Sequence, residues 1–288
     1  MQLDARRGEL SDWLTQKWVQ ATSRRLVIRD DDWAAGPCGG TESIGKDFFE
    51  KLAVAEGLEI SLGGGPIGLT SDFLRVGGPL FDADSVHPQV RNFYEATSQY
   101  NMDAWGEWCG VFRPFGWLLR RVFSRRLQQL NVPLSALETS KGMTSRVLQL
   151  VDPAARTVRY TAWVRELVGT GDVIYAGSYS ICQPPGFDGP CIKVAFPLPN
   201  GYALVVMKPS VGERGSLLLE SVGEKFGDPG FYFVVRGANV RSSVKYIRTM
   251  QESIHVYAAE NETVRADHTL TIWGVTFLRL HYHLTHRA

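Results

Sequence analysis

The chain carries no excess of charge of one sign: its 31 Lys and Arg stand against 30 Asp and Glu, a formal net charge of +1. A dedicated nucleic-acid binder concentrates positive charge over a whole domain, so that class is set aside, although a local basic patch is not. Long hydrophobic runs are also missing. Every apolar stretch is interrupted by a charge or a proline well short of the ~20 residues a helical membrane span needs, and Met1 is followed by Asp4, Arg6 and Arg7 rather than by an apolar signal core. The expectation is a soluble, cytoplasmic protein. Cysteine is scarce: Cys38, Cys109, Cys182 and Cys191 are scattered without a Cys-x-x-Cys, which leaves a zinc knuckle or a redox pair without local support. Cys182 and Cys191 flank a Pro- and Gly-containing loop, and the compartment argument makes them reduced thiols. There is no internal repeat and no low-complexity tract, and no motif calls for a cofactor.

At 288 residues the chain can bury a sizeable core. Its character changes near residue 135. Residues 1–135 read as a helical, loop-rich region: a helix over Leu10 to Ala21 carrying Trp13, Leu14 and Trp18, a short strand Arg25 to Arg29, a helix from Lys46 to Ala55 stopped by Gly57, and a helical stretch opened by His87-Pro88 with Phe93, Tyr94 and Thr97 at helical spacing. Trp105 and Trp108 continue this aromatic belt, which is expected to be core. Asp30, Asp31 and Asp32 are consecutive and point different ways, so they suit a solvated turn better than an ion site. Gly63, Gly65 and Gly68 match G-x-G-x-x-G after the strand beginning at Leu58, but no helix and no strand-helix-strand rhythm follows. A loop at the mouth of a sheet fits better than a nucleotide site. Phe115 to Leu130 forms one apolar stripe flanked by Arg120, Arg121, Arg125 and Arg126. It reads as a cap on a sheet, or as a peripheral membrane contact.

Residues 136–288 read as strands: Ser145 to Val151, Thr157 to Leu167, Val173 to Cys182, Cys191 to Leu198, Tyr202 to Pro209, Ser216 to Ser221 and Phe231 to Arg236, with Pro199-Asn200-Gly201 as the clearest hairpin turn. The last forty residues add two long strands, Ser243 to Tyr257 and Thr263 to Leu284, closed by Ala259 to Glu262. The fold class expected is α+β: a curved antiparallel sheet or half-barrel of about nine strands, with N-terminal helices packed against it, because both faces of the strands are too apolar for one to lie in water.

A tight turn at residues 259–262 would set Ala258 opposite Thr263, Ser253 opposite His268 and Arg248 opposite Trp273. One face would then carry Tyr246, Arg248, Met250, Glu252, Ile254 and Val256 with Asp267, Trp273 and Phe277; a slip of one residue would exchange the faces. In that register Arg248 and Glu252 are polar handles in an apolar wall, where an unpaired charge is expensive. Candidate acid/base and oxyanion groups are therefore Glu252, His268 and Arg248, and candidate ligand-binding residues are Tyr246, Met250, Trp273, Tyr179 and Phe277. His268 and Asp267 are neighbours on a strand and point to opposite faces, so they cannot pair with each other; Ser253 or His255 is the partner expected for His268. His281, His283 and His286 near the end of the chain are the weaker, metal-binding alternative.

Four stretches together, Phe93-Tyr-Glu-Ala-Thr97 with Tyr100, Ser124-Arg-Arg-Leu-Gln-Gln-Leu130, Phe226-Gly-Asp-Pro-Gly-Phe-Tyr-Phe233 and Arg265-Ala-Asp-His-Thr-Leu270, resemble a group of uncharacterised bacterial proteins, the YndJ-like group, over most of residues 85 to 288. The resemblance implies no activity, cofactor or site. From the residues alone, the expected function is binding of an apolar small metabolite or acyl chain inside the curved sheet, in the enzymatic case as a cofactor-independent isomerase or cyclase. The alternatives are a lipid carrier or membrane-surface accessory protein, and a metal-dependent hydrolase.

Overall fold

In the computed structural model, residues 10–29, 32–40, 44–61, 65–112, 143–169, 171–237 and 241–287 are described. The arginine-flanked stripe Phe115 to Leu130, Asp30, Asp31 and Gly63 lie outside them. In chain order the elements are α1 (Leu10–Thr22), β1 (Arg24–Val27), α2 (Phe48–Glu56), β2 (Glu59–Ser61), α3 (Pro88–Glu95), β3 (Tyr100–Trp108), β4 (Met143–Asp152), β5 (Thr157–Leu167), β6 (Val173–Cys182), β7 (Cys191–Leu198), β8 (Gly201–Val211), β9 (Leu217–Glu220), β10 (Gly230–Val235), β11 (Arg241–Tyr246), β12 (Met250–Ala258), β13 (Val264–Ile272) and β14 (Val275–His286). All strand pairings between them are antiparallel.

The main path of the sheet is β2-β4-β5-β6-β7-β8-β9-β12-β13-β14-β3. It forks at β8, whose first half pairs with β10 from Gly201 to Val206 while its end, Lys208 to Val211, pairs with β9. From β10 the branch runs through β11 to β1. The path curls until β3 lies beside β4, where the Arg287 guanidinium donates to the Ser145 carbonyl at 3.1 Å. The curved antiparallel sheet anticipated from sequence is thus observed, with 14 strands in place of about nine. The surplus comes from residues 1–135, which add β1, β2 and β3, and from the division of the C-terminal hairpin described below. The aromatic stretch through Trp105 and Trp108 is strand β3; Trp108 is buried as expected of core, whereas Trp105 points outward and is 46% exposed.

Strand periodicity sorts the side chains into an inside and an outside. Trp163, Tyr175, Val194, Val205, Leu219, Val256, Ala266 and Leu284 belong to the interior cluster. The alternate residues Leu150, Ala162, Val164 and Ala176 meet Phe48, Phe49, Leu52 and Ala53 of α2 on the outside. Further round the outer face, Leu204, Val206, Tyr232, Val234 and Val244 pack with Ala34 and Trp33. Burial on both faces explains why these strands read as nearly continuous apolar runs.

One end of the curled sheet is stopped by α3. Pro88 occupies its first turn and the His87 imidazole accepts from the Gln89 N–H, a capping arrangement that ends the preceding extended chain. Gln89 donates to the Thr263 carbonyl at 2.8 Å, and Phe93 meets the rings of Tyr100 and Trp163. α2 ends at Gly57, whose left-handed φ of 68° lets its N–H reach the Ala53 carbonyl.

The C-terminal hairpin departs from the expected arrangement in three ways. Ser243 to Tyr257 is not one strand: the chain reverses at Ile247 to Thr249, so that β11 joins β10 while β12 joins β9 and β13. Thr263 to Leu284 is also two strands, divided by a two-residue turn at Trp273 and Gly274 with φ of 50° and 75°, the backbone of the hairpin turns that suit strand twist. Finally, the loop between β12 and β13 is five residues long, 259–263, with Asn261 and Glu262 both at positive φ, so Ala258 faces Val264 and Ile254 faces His268. The register differs from the expected one by a single residue, and the faces of β13 are exchanged.

Candidate functional site

That exchange brings the two candidate acid/base residues together. Glu252 of β12 stands opposite Leu270, and His268 is one step along the same face, opposite Ile254. The Glu252 carboxylate and the His268 Nε2 are 3.0 Å apart, with side-chain exposures of 7% and 13%. The Glu252 main chain is fixed separately: its N–H donates to Ser221 Oγ at 2.7 Å and its carbonyl accepts from the Ser221 N–H. Glu252 rather than Ser253 or His255 is therefore the partner of His268.

The pair opens on an interior cavity of about 190 Å³, walled by apolar side chains that include Met102, Phe196, Met207, Phe231, Met250 and Leu280. Across it lies a residue that sequence reasoning passed over. Arg165 of β5 is 7% exposed, and its guanidinium carbon sits 3.6 Å from the centre of the Trp163 ring, 4.6 Å from Tyr175 and 5.3 Å from Tyr282. A guanidinium is a permanent cation with a rigid fork of donors, and aromatic faces stabilise it when water is withdrawn. Its Nε finds no hydrogen-bond partner among the described residues. The signal was present in the sequence: Thr161, Trp163, Arg165 and Leu167 share one face of a strand, which puts a charge where the pattern demands an apolar residue.

Tyr175, Tyr179 and Tyr282 also line the cavity. Burial pushes all three phenols above their ordinary value, well above it for Tyr175, while the Arg165 charge pulls in the opposite direction. They stay protonated and are available as donors. A cation that can hold an oxyanion, a carboxylate–imidazole pair that can move a proton and neutral phenols that can orient a substrate thus converge on one apolar space.

Of the residues singled out from sequence, Glu252, His268, Met250 and Tyr179 line this cavity. The others do not. Arg248 is exposed in the turn that separates β11 from β12, where the Met250 N–H bonds back to the Ile247 carbonyl. Trp273 is 73% exposed at the β13–β14 turn. Tyr246 belongs to the outer cluster, its ring tilted against Tyr232 with centroids 5.0 Å apart and its hydroxyl donating to the Gly223 carbonyl at 2.6 Å. Phe277 packs against Trp108 and Phe112 in a separate small cluster. All four were assigned to the wall through a continuous-strand reading that the two turns invalidate.

A second carboxylate–imidazole pair occupies the other face of β13. Asp267 accepts or shares a proton with His281 Nδ1 at 2.6 Å, the Tyr257 hydroxyl donates to its other oxygen at 3.3 Å, and Trp105 stacks on the imidazole with centroids 5.2 Å apart. His286 engages Gln99 and the Arg287 carbonyl. Among the described residues no three His, Cys, Asp or Glu side chains come together as a metal would require.

Fold and site together describe a curled antiparallel sheet that encloses an apolar cavity with a buried carboxylate–imidazole pair. Over 249 residues, 86% of its length, the chain is 26% identical to the uncharacterized membrane protein YndJ of Bacillus subtilis (strain 168), in agreement with the resemblance read from the four stretches. The match covers 42% of that relative's length. No protein-family model matches the chain, and no solved structure does. No described helix is long and apolar enough to cross a membrane.

Proposed function

We propose that the chain binds a compact, mostly apolar metabolite in the interior cavity and acts on it without a cofactor, as an isomerase or cyclase. The observation that carries this reading is the convergence of Arg165, Glu252 and His268 on a space otherwise walled by hydrocarbon. Charged groups in such surroundings are costly to keep, and a site that must bind an oxygen function and relocate a proton gives them a use. Arg165 takes the role first given to Arg248: its free Nε–H meets a carboxylate or a developing enolate oxygen while the Glu252–His268 pair moves the proton. At about 190 Å³ the space is smaller than the ~300–1,000 Å³ of sites for drug-sized ligands. A small ring or short chain suits it better than a long acyl group.

The test is native mass spectrometry of the purified protein against its denatured mass. A retained organic mass that disappears in Ala266→Met, which fills the cavity from β13, is the expected result. Identical native and denatured masses in preparations from several hosts, with no displacement of an apolar naphthalenesulfonate probe by any small carboxylate, would end the proposal.

A second reading, a membrane-surface accessory protein, is favoured by one patch. On α1 the side chains of Trp13, Leu14 and Trp18 are about half exposed, with the Lys245 ammonium 5.6 Å from the Trp18 ring. Aromatic and basic groups side by side suit the interface of an anionic bilayer, and the relative's own name is that of a membrane protein. In either reading we place the chain on the cytoplasmic side, where its free thiols persist. Co-sedimentation with phosphatidylglycerol vesicles at low salt, lost in Trp13→Ser/Trp18→Ser, supports the second reading; indifference to the vesicles removes it.

A further inference from the structure

A second, larger space lies on the other face of the sheet. Pairing between β5 and β6 stops at Thr161 and Tyr179; beyond that point β5 pairs with β4 and β6 with β7. A cleft of about 830 Å³ sits where the two strands part. Unlike the interior cavity it is rich in cations: Arg29, Arg159, Lys193 and Arg236 line it, against the carboxylates of Glu56 and Asp152. Asp152 is already committed, accepting from the Ala154 and Ala155 N–H groups at 2.8 and 3.0 Å.

Lys193 is the informative residue. Its position on β7, opposite Ser180 of β6, turns it to the cleft, and it is more than nine-tenths buried. Its hydrogen bond is to a main-chain carbonyl, that of Asp32 at 3.3 Å, and among the described residues no carboxylate forms an ion pair with it. Burial depresses its ammonium below the ordinary lysine range, with the Arg159 charge acting the same way and the nearby Cys182 and Asp32 only partly opposing. The Asp32 carboxylate itself accepts from the Arg29 N–H at 2.6 Å. A buried lysine without a counter-ion is an unfavourable arrangement for the protein alone and a favourable one once an anion is present.

We propose that this cleft is a binding site for a phosphate-bearing molecule, with Lys193 on its floor and Arg29, Arg159 and Arg236 on its walls. Four cations against two carboxylates match a multiply charged oxyanion better than a single carboxylate, and the volume leaves room for an organic remainder. The phosphate can belong to a soluble compound or to a lipid headgroup, and the same chemistry recognises both. Tyr179 borders both spaces, but none of the four cations of the cleft lines the interior cavity, and the proposal does not rest on the reaction proposed there.

The experiment is calorimetric titration of the full chain with pyrophosphate and, separately, with dihexanoyl phosphatidic acid at ~150 mM salt, where long-range surface attraction is screened. At least one is expected to bind, and Lys193→Met, which keeps the buried length but removes the charge, is expected to weaken it at least tenfold. Arg236→Gln on the rim should weaken it in the same direction and guards against a folding defect in the first variant; Arg75→Gln, at an exposed position of the short 3-10 helix Phe73–Val76 away from the cleft, should leave it unchanged. Binding of pyrophosphate identifies a soluble phosphate compound as sufficient, and binding of the lipid alone identifies a headgroup. If neither binds, or if binding is equal in wild type and Lys193→Met, the proposal is wrong.

Discussion

The Glu252–His268 pair makes a prediction that needs no knowledge of the ligand. Replacing His268 by Leu leaves the Glu252 carboxylate in an apolar cavity, where among the described residues its side chain has the one hydrogen bond at 3.0 Å and where it is 7% exposed. Losing one partner of a buried hydrogen bond costs about 1–3 kcal/mol, and stranding a buried charge about 3–5 kcal/mol. Because His268 itself keeps some exposure, through the cavity it lines, the lower part of the combined range is expected: roughly 3 kcal/mol for His268→Leu. The double variant Glu252→Leu/His268→Leu removes both polar groups and fills the same wall with hydrocarbon, so it should be less destabilised than the sum of the singles by at least ~1.5 kcal/mol. Urea unfolding of the four proteins, read by tryptophan fluorescence with equal m-values, measures this directly. Additive single effects, or a His268→Leu cost below ~0.5 kcal/mol, would show that the two side chains do not depend on one another, and the acid/base assignment would lose its foundation.

Trp273→Asn should keep or raise stability by up to ~1 kcal/mol, because the residue is exposed at φ 50°, where Asn is at ease and a bulky aromatic is strained; a loss above ~1 kcal/mol in thermal melts would return Trp273 to the wall. Gly68→Ala should cost about 3 kcal/mol or more, since the new methyl would lie 2.3 Å from the backbone of Glu95 and Tyr94 at the end of α3, whereas Gly40→Ala meets nothing within 4 Å and should be near neutral. Burial, only partly offset by the Lys193 charge, pushes the Cys182 thiol up to about 11 from an ordinary 9.0. The folded state thus holds a proton that the unfolded chain has released, and stability should fall by ~2 kcal/mol as pH rises from about 9 to about 11; iodoacetamide labelling of Cys182 in the folded protein should stay slow at pH 8.5, and fast labelling there would contradict the assignment.

The strands between residues 157 and 211 could be read closely from sequence because both of their faces are buried, which gives nearly continuous apolar runs, and because Pro199-Asn200-Gly201 marks its turn with the chemistry that turns require. Asn200 indeed takes a positive φ of 58°. The C-terminal hairpin could not be read in this way. Ile247-Arg248-Thr249 contains neither Gly nor Pro, and the reversal there is sealed by a long-range bond from the Trp273 N–H to the Thr249 carbonyl at 2.8 Å. Trp273 looks like a strand residue by propensity and is made a turn residue by the Gly that follows it and by the pairing of Ile272 with Val275. Strand β3 was within reach: Tyr100, Met102 and Trp108 are buried with exposed residues between, a period of two hidden behind the helical spacing of the preceding aromatics.

The candidate site was half legible for the same reason. Glu252 and Met250 are placed together by alternation within a single strand, which survives an error in how strands are joined; His268 and Tyr179 are marked by their side-chain chemistry, and the expected register sets His268 on the opposite face. Arg248, Trp273, Tyr246 and Phe277 were tied to them only through connectivity and register, and these are set by loop conformations distant from the site. β13 makes the dependence concrete. Its consecutive residues Asp267 and His268 serve opposite faces of the sheet, Asp267 reaching His281 of β14 on the outside and His268 reaching Glu252 of β12 within. A one-residue slip against both neighbours would place the Asp267 carboxylate and the hydroxyls of Thr269 and Thr271 in the hydrocarbon cavity and turn Ala266, His268 and Leu270 outward, at a cost of several kcal/mol in unpaired polar groups. Two positive-φ residues in the loop at 259–263 are a far smaller expense, on the order of 1–2 kcal/mol each. The register follows from what the cavity can tolerate, and the turn adapts to it.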